Sequence, residues 1–177
     1  MHVNYEFKAK CTDIEGLEAL LEPLKPRFIG TDHQIDTYFN TSKDRLKLRE
    51  GTIENALIHY ERSNIAGAKQ SNVVLYSHKP DASLKDILVK TLGIKVVVDK
   101  KRKIYFIDNV KFHFDRVEEL GSFVEVEAID TDGNIGIDRL KTQCDSYAHL
   151  FGIAQDSFVA ESYSDLLLAK KSSTSGQ

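Results

Sequence analysis

The sequence predicts an α+β fold built on an antiparallel sheet of eight strands, large enough to close on itself as a barrel. Three observations predict it. Eight segments read as strands, several of them alternating polar and apolar residues with a period of two, short turns join most of them, and a few amphipathic helical stretches interrupt the series.

The first strand, 2–11, alternates without a break. Val3, Tyr5, Phe7, Ala9 and Cys11 form its apolar face, and Asn4, Glu6, Lys8 and Lys10 its polar one. Thr12 reads as a helix cap, with Glu15 three residues on completing a capping box. Ile14, Leu17, Leu21 and Leu24 then recur at helical spacing until Pro23 and Pro26 end the element. Strands follow at 34–40, 45–50 and 56–63, then a loop over 64–70 and a strand over 72–77. Asp81 caps a helix carrying Leu84, Ile87, Leu88 and Leu92, which Gly93 stops. Two long strands, 96–107 and 110–116, meet at Asp108-Asn109, a dipeptide suited to a tight hairpin. The eighth strand is 122–129, followed by amphipathic helices at 138–151 and 162–170. Residues 1–170 read as one domain and the Ser-rich 171–177 as a disordered tail.

Composition is that of an ordinary globular protein, 41% hydrophobic and 29% charged. A net charge of −3 argues against a broad nucleic-acid surface. The longest apolar runs, such as 96–98 and 166–169, are far too short to cross a bilayer. The first residues enter a patterned strand with no basic-then-apolar leader, so a cytoplasmic location is expected. Cys11 and Cys144 lack metal-ligand spacing and read as free core thiols.

The charges are sorted strand by strand. Lys47 shares a face with Arg49, Lys100 with Arg102, Lys111 with His113 and Asp115, and Glu125 with Glu127, each set opposite an apolar row. Either helices cover the apolar face and the charges meet water, or the sheet closes with charge inside. A plain solvated face would mix in Ser, Thr, Gln and Asn, so the concentration of Arg, Lys and Glu favours the closed arrangement. The inward set is then Glu6, Lys8, Lys47, Arg49, Arg62, Lys100, Arg102, Asp115, Glu125 and Glu127. Unpaired ions in a dry interior cost roughly several kcal/mol each, so a compensating ligand is expected. Basic side chains suit phosphate oxygens, and clustered carboxylates suit Mg²⁺ or Mn²⁺. Together they fit a metal–polyphosphate complex better than a lone anion or a lone cation. Phosphate-loop, dinucleotide-turn, HExxH and CxxC patterns are all missing from the sequence.

These residues resemble the CYTH superfamily over nearly the whole chain. Asn4-Tyr5-Glu6-Phe7-Lys8 is similar to its ExExK signature, with Asn4 as the one departure. Asp36–Asn40 and Leu46–Arg49 resemble the second and third family strands, and Lys100-Lys101-Arg102 the KxR element. Phe114–Val117 and Leu120–Glu127 resemble the acidic half, and Ser162–Leu167 the closing motif. The resemblance implies a closed eight-stranded triphosphate tunnel with helices packed outside. It implies that Glu6, Asp115, Glu125 and Glu127 bind Mg²⁺ or Mn²⁺, and that Lys8, Lys47, Arg49, Arg62, Lys100 and Arg102 hold the triphosphate. No catalytic base can be assigned, and His113 reads as a structural or supporting histidine.

The branch resembled is the class IV adenylyl cyclase-like group, which implies conversion of ATP to cyclic AMP and pyrophosphate. The alternatives are a thiamine- or inorganic triphosphatase, or a non-catalytic nucleotide- or polyphosphate-binding module. The expected partner is a nucleoside triphosphate or another triphosphate compound, with no nucleic acid and no membrane. The family also forms homodimers often.

Overall fold

The computed structural model describes residues 2–61 and 69–174. Eight strands form one strongly curled antiparallel sheet: β1 (His2–Lys10), β2 (Arg27–Phe39), β3 (Arg45–Gly51), β4 (Ala56–Glu61), β5 (Lys69–Ser77), β6 (Ile94–Ile107), β7 (Val110–Val117) and β8 (Gly121–Asp130). Their order is β1-β5-β4-β3-β2-β6-β7-β8, and β1 also pairs with β8, so the ladder returns on itself. Four α-helices accompany the sheet: α1 (Ile14–Leu21), α2 (Ala82–Leu92), α3 (Ile137–Leu150) and α4 (Tyr163–Thr174).

Local chemistry explains most boundaries. Asp13, rather than Thr12, caps α1: its carboxylate accepts the Gly16 backbone N–H, an amide the first turn leaves unsatisfied. Asp81 caps α2 through the Ser83 N–H, and Gly93 ends it at φ 70°. The β6–β7 hairpin turns at Asp108, which adopts φ 49°, a conformation Asp tolerates better than bulkier residues. β2 begins seven residues earlier than the alternation predicts, because pairing with the long β6 carries Arg27–His33 into the ladder. A bulge between Phe28 and Gly30 hides the period there. α4 runs on to Thr174, into residues read as a tail from composition.

Two apolar clusters flank the sheet. Outside, Phe7, Ala9, Phe112, Phe114, Val124 and Val126 pack against Ile14 and Leu21 of α1 and Leu140, Cys144 and Phe151 around α3. Both cysteines are free, Cys144 buried and Cys11 half-buried. The second cluster lies on the other side of the same strands. Val96, Val98, Val117 and Phe123 share the parity of the charged rows and pack with Tyr163 and Leu167 of α4. The expectation that every helix packs outside is therefore corrected. α4 fills one end of the curl from within, because the inward rows turn apolar there.

Candidate functional site: a charged cavity inside the curled sheet

The inward rows enclose a cavity of about 570 Å³, lined on most of its sides by charged and polar residues. β1 contributes Asn4, Glu6 and Lys8, β3 contributes Lys47 and Arg49, and β6 contributes Lys100 and Arg102. Lys111 and His113 come from β7 and Glu125 and Glu127 from β8. Period-two geometry puts alternate residues on one face, and curling turns that face inward.

The basic side is organised by Asp36 on β2, which stands directly opposite Arg49 in the ladder. Its carboxylate accepts from Arg49 Nε at 2.8 Å and Nη2 at 2.9 Å, from Lys100 Nζ at 2.7 Å and from Lys47 Nζ at 2.9 Å. Burial raises the Asp36 carboxyl, but Arg49, Lys100 and Lys47 outweigh it and hold the group well below the usual range. Burial pulls the Lys100 ammonium down to about 7 against the attraction of Asp36. Three cations thus share one carboxylate, which leaves unneutralised positive charge beside the cavity. Glu54, from the turn after β3, accepts from Arg49 and from Lys111. Asp32 fixes that turn by accepting the Ile53 and Glu54 amides and the Thr52 hydroxyl.

The acidic side follows from the β1–β8 register, which puts Glu6 opposite Glu127 and Lys8 opposite Glu125. Burial and the neighbouring Glu6 push the Glu127 carboxyl up to about 7. Asn4 donates its Nδ2–H to Glu127 Oε1, while its Oδ1 is buried and unpartnered among the described residues. Burial raises the Glu125 carboxyl, but His113, Lys8 and Arg102 hold it well below its ordinary range. His113 lies 3.6 Å from Glu125, and burial depresses its imidazole to about 4, so it is neutral. Lys8 donates to the Glu161 carbonyl at 3.2 Å and lies 4.4 Å above the Tyr163 ring.

Nine of the ten expected site residues have described positions. Glu6, Lys8, Lys47, Arg49, Lys100, Arg102, Glu125 and Glu127 line the cavity. Asp115 is not among the lining residues. It lies fully buried behind them, gripped by Arg102 Nε at 2.7 Å and Nη2 at 2.6 Å and by the Tyr163 hydroxyl at 2.7 Å. Arg102 Nη2 also reaches Glu125 at 2.9 Å. Arg62 lies outside the described residues. Sequence reasoning missed Asp36, Glu54, Lys111 and Tyr163 as site residues. Parity could have found Lys111 and Asp36, which share faces with Asp115 and Tyr38.

Among the described residues, no group of three His, Cys, Asp or Glu side chains is drawn together as a formed metal site. The donor chemistry nonetheless fits a hard cation. Glu6 and Glu127 are apposed carboxylates, and Asn4 Oδ1 is a buried acceptor with no hydrogen-bond donor among the described residues. No helix among the described residues is long and apolar enough to cross a membrane.

The pattern of the CYTH domain matches residues 2–163. Adenylate cyclase CyaB of Aeromonas hydrophila is 25% identical over 91% of this chain and 86% of its own length. MJ0240 of Methanocaldococcus jannaschii, named as a candidate adenylate cyclase, is 25% identical over 93% of this chain and 98% of its own. The fold is shared with PH1012 of Pyrococcus horikoshii, with a TM-score of 0.74 and 23% identity over 94% of this chain and 99% of that one. It is also shared with HpAC1 of Hippeastrum, a candidate adenylyl cyclase whose dominant activity is described as triphosphatase. There the TM-score is 0.61, with 14% identity over 97% of this chain and 96% of that one.

Proposed function

Because this chain belongs to the CYTH family, whose members bind triphosphates and are generally metal-dependent, we propose that its cavity holds ATP and converts it to cyclic AMP and pyrophosphate. The observation that carries this reading is the division of the cavity into two charged sides. Lys47, Arg49 and Lys100 converge on the single carboxylate of Asp36, and the carboxylates of Glu6, Glu125 and Glu127 stand on β1 and β8.

In this reading Lys47, Arg49, Lys100, Arg102 and Lys8 bind and orient the phosphate oxygens. Arg49 and Arg102 are suited to paired contacts. Arg62 is assigned the same role from its place in the sequence alone. Glu6, Glu125 and Glu127 would hold Mg²⁺ or Mn²⁺, which when bound supplies charge neutralisation at the phosphate oxygens. Asp115 serves by fixing Arg102 rather than by reaching the substrate. The ribose 3′-hydroxyl oxygen attacks the α-phosphorus, its proton passes to water, and the bond from that phosphorus to the oxygen bridging it to the β-phosphorus breaks as pyrophosphate leaves. The bases stabilise negative charge as it moves onto the departing group.

A triphosphatase, in which water attacks the γ-phosphorus, uses the same parts. The activity ascribed to HpAC1 supports it as the second reading. A binding-only module is a third, supported by Asn4 in place of a carboxylate. Incubating the purified protein with ATP and Mn²⁺ or Mg²⁺, with products resolved by mass, separates the three. Cyclic AMP with pyrophosphate is the expected result. ADP with orthophosphate would move the protein to the triphosphatases, and bound but unaltered ATP would make it a sensor.

A further inference from the structure

The wall of the cavity formed by β4 and β5 is unlike the rest. Its described lining side chains are Ala56, Ile58 and Tyr60 on β4 and Val73, Leu75 and Ser77 on β5, joined by Ile53 from the preceding turn, with hydroxyls only at its two ends. The registers make this one continuous patch: Ile58 stands opposite Leu75, and on its other side Ile58 stands opposite Lys47. The apolar patch therefore begins where the basic row ends. Ile53 and Leu75 are 41% and 47% exposed, so large apolar side chains meet solvent at the rim of a charged cavity. Removing such surface from water is favourable. A chain of phosphates cannot cover it, because phosphate oxygens prefer charge and water.

We propose that the β4–β5 wall seats the organic part of a triphosphate ester, a flat ring with apolar faces, so that the cavity favours organic triphosphates over inorganic tripolyphosphate. This rests on the triphosphate reading above and adds the residues that set selectivity, chiefly Ile58 and Leu75. With phosphates on Lys47 and Arg49, a ring attached to the end of the chain reaches Ile58 across one strand spacing, about 5 Å. Inorganic tripolyphosphate occupies the basic row and leaves the wall wet.

The test titrates ATP and inorganic tripolyphosphate, each with Mg²⁺, into the intact chain and into Ile58→Ser, Leu75→Ser and Lys47→Ala variants. Each serine variant is expected to weaken ATP by roughly tenfold while tripolyphosphate affinity holds, so the preference falls by the same factor. Lys47→Ala is expected to weaken both ligands together. Leu75 is half-exposed, so its variant keeps the test valid even if Ile58→Ser unfolds. If both ligands bind but the serine variants leave their ratio unchanged, the wall has no such role and the triphosphate reading survives. If neither ligand binds the parent chain, both proposals fall.

Discussion

Lys100 Nζ lies 2.7 Å from Asp36 Oδ2, and both side chains are only 1% exposed. Lys47 and Arg49 lean on the same carboxylate. One buried acid thus holds three cations together at the cavity. Its removal leaves buried positive charge unpaired.

Asp36→Asn is accordingly expected to cost roughly 3–5 kcal/mol of stability, the range for breaking a buried ion pair from one side. Added tripolyphosphate should restore more stability to the variant than it adds to the parent, since it supplies the missing negative charge. Urea unfolding with and without the ligand checks both parts. An unchanged midpoint would show that Asp36 is not the organiser of the basic side.

The pH response follows from Lys100. Its folded pKa is pulled down to about 7 by burial, from an ordinary 10.5. Between those values the unfolded chain holds a proton that the folded chain has released, so this group makes stability rise with pH over that window. Bound triphosphate wants the ammonium, so its affinity should fall over the same window. Lys100→Arg, which stays charged, should flatten the affinity profile. Titrations at several pH values from 6.5 to 9 are the check, and a parent profile already flat would refute it.

Much of this site was legible in period two alone. The alternation of Glu6 and Lys8 with Tyr5 and Phe7, and of Glu125 and Glu127 with Val124 and Val126, specified which face each residue takes. That is why eight of the expected residues line one cavity. Periodicity specifies a face but not a partner. It could not show that Asp36 organises the bases or that Asp115 is occupied by Arg102 and Tyr163. Glu54 sits in a turn held by Asp32, 22 residues away, and carries no periodic signal at all. The same blindness hid where α4, itself legible as a helix, packs, because its place inside the curl depends on apolar ends of strands far apart in sequence.

Tyr163 joins the start of α4 to Asp115 through its hydroxyl and lies beneath the Lys8 ammonium. Tyr163→Phe keeps the ring and removes one hydrogen bond to a carboxylate, an expected loss of about 1.5–3 kcal/mol. Because Arg102 still pairs with Asp115, the fold should survive. Thermal unfolding reads the change, and a loss below 0.5 kcal/mol would mean the contact contributes nothing.

Asn4→Glu adds a carboxylate beside Glu127, whose carboxyl burial and Glu6 already push up to about 7. The metal-free variant should be less stable than the parent, and Mg²⁺ or Mn²⁺ should stabilise it more strongly. Thermal shifts across a metal titration measure both. Identical titrations for the two proteins would count against Asn4 belonging to the metal site.

The most direct test of the whole account is ATP turnover with and without Mg²⁺ or Mn²⁺, in the parent chain and in Glu127→Gln. The variant keeps the shape of the side chain and removes its charge. The account predicts metal-dependent turnover in the parent, and ATP binding without metal-dependent turnover in the variant. Equal turnover in the two, or turnover indifferent to the metal, would contradict it.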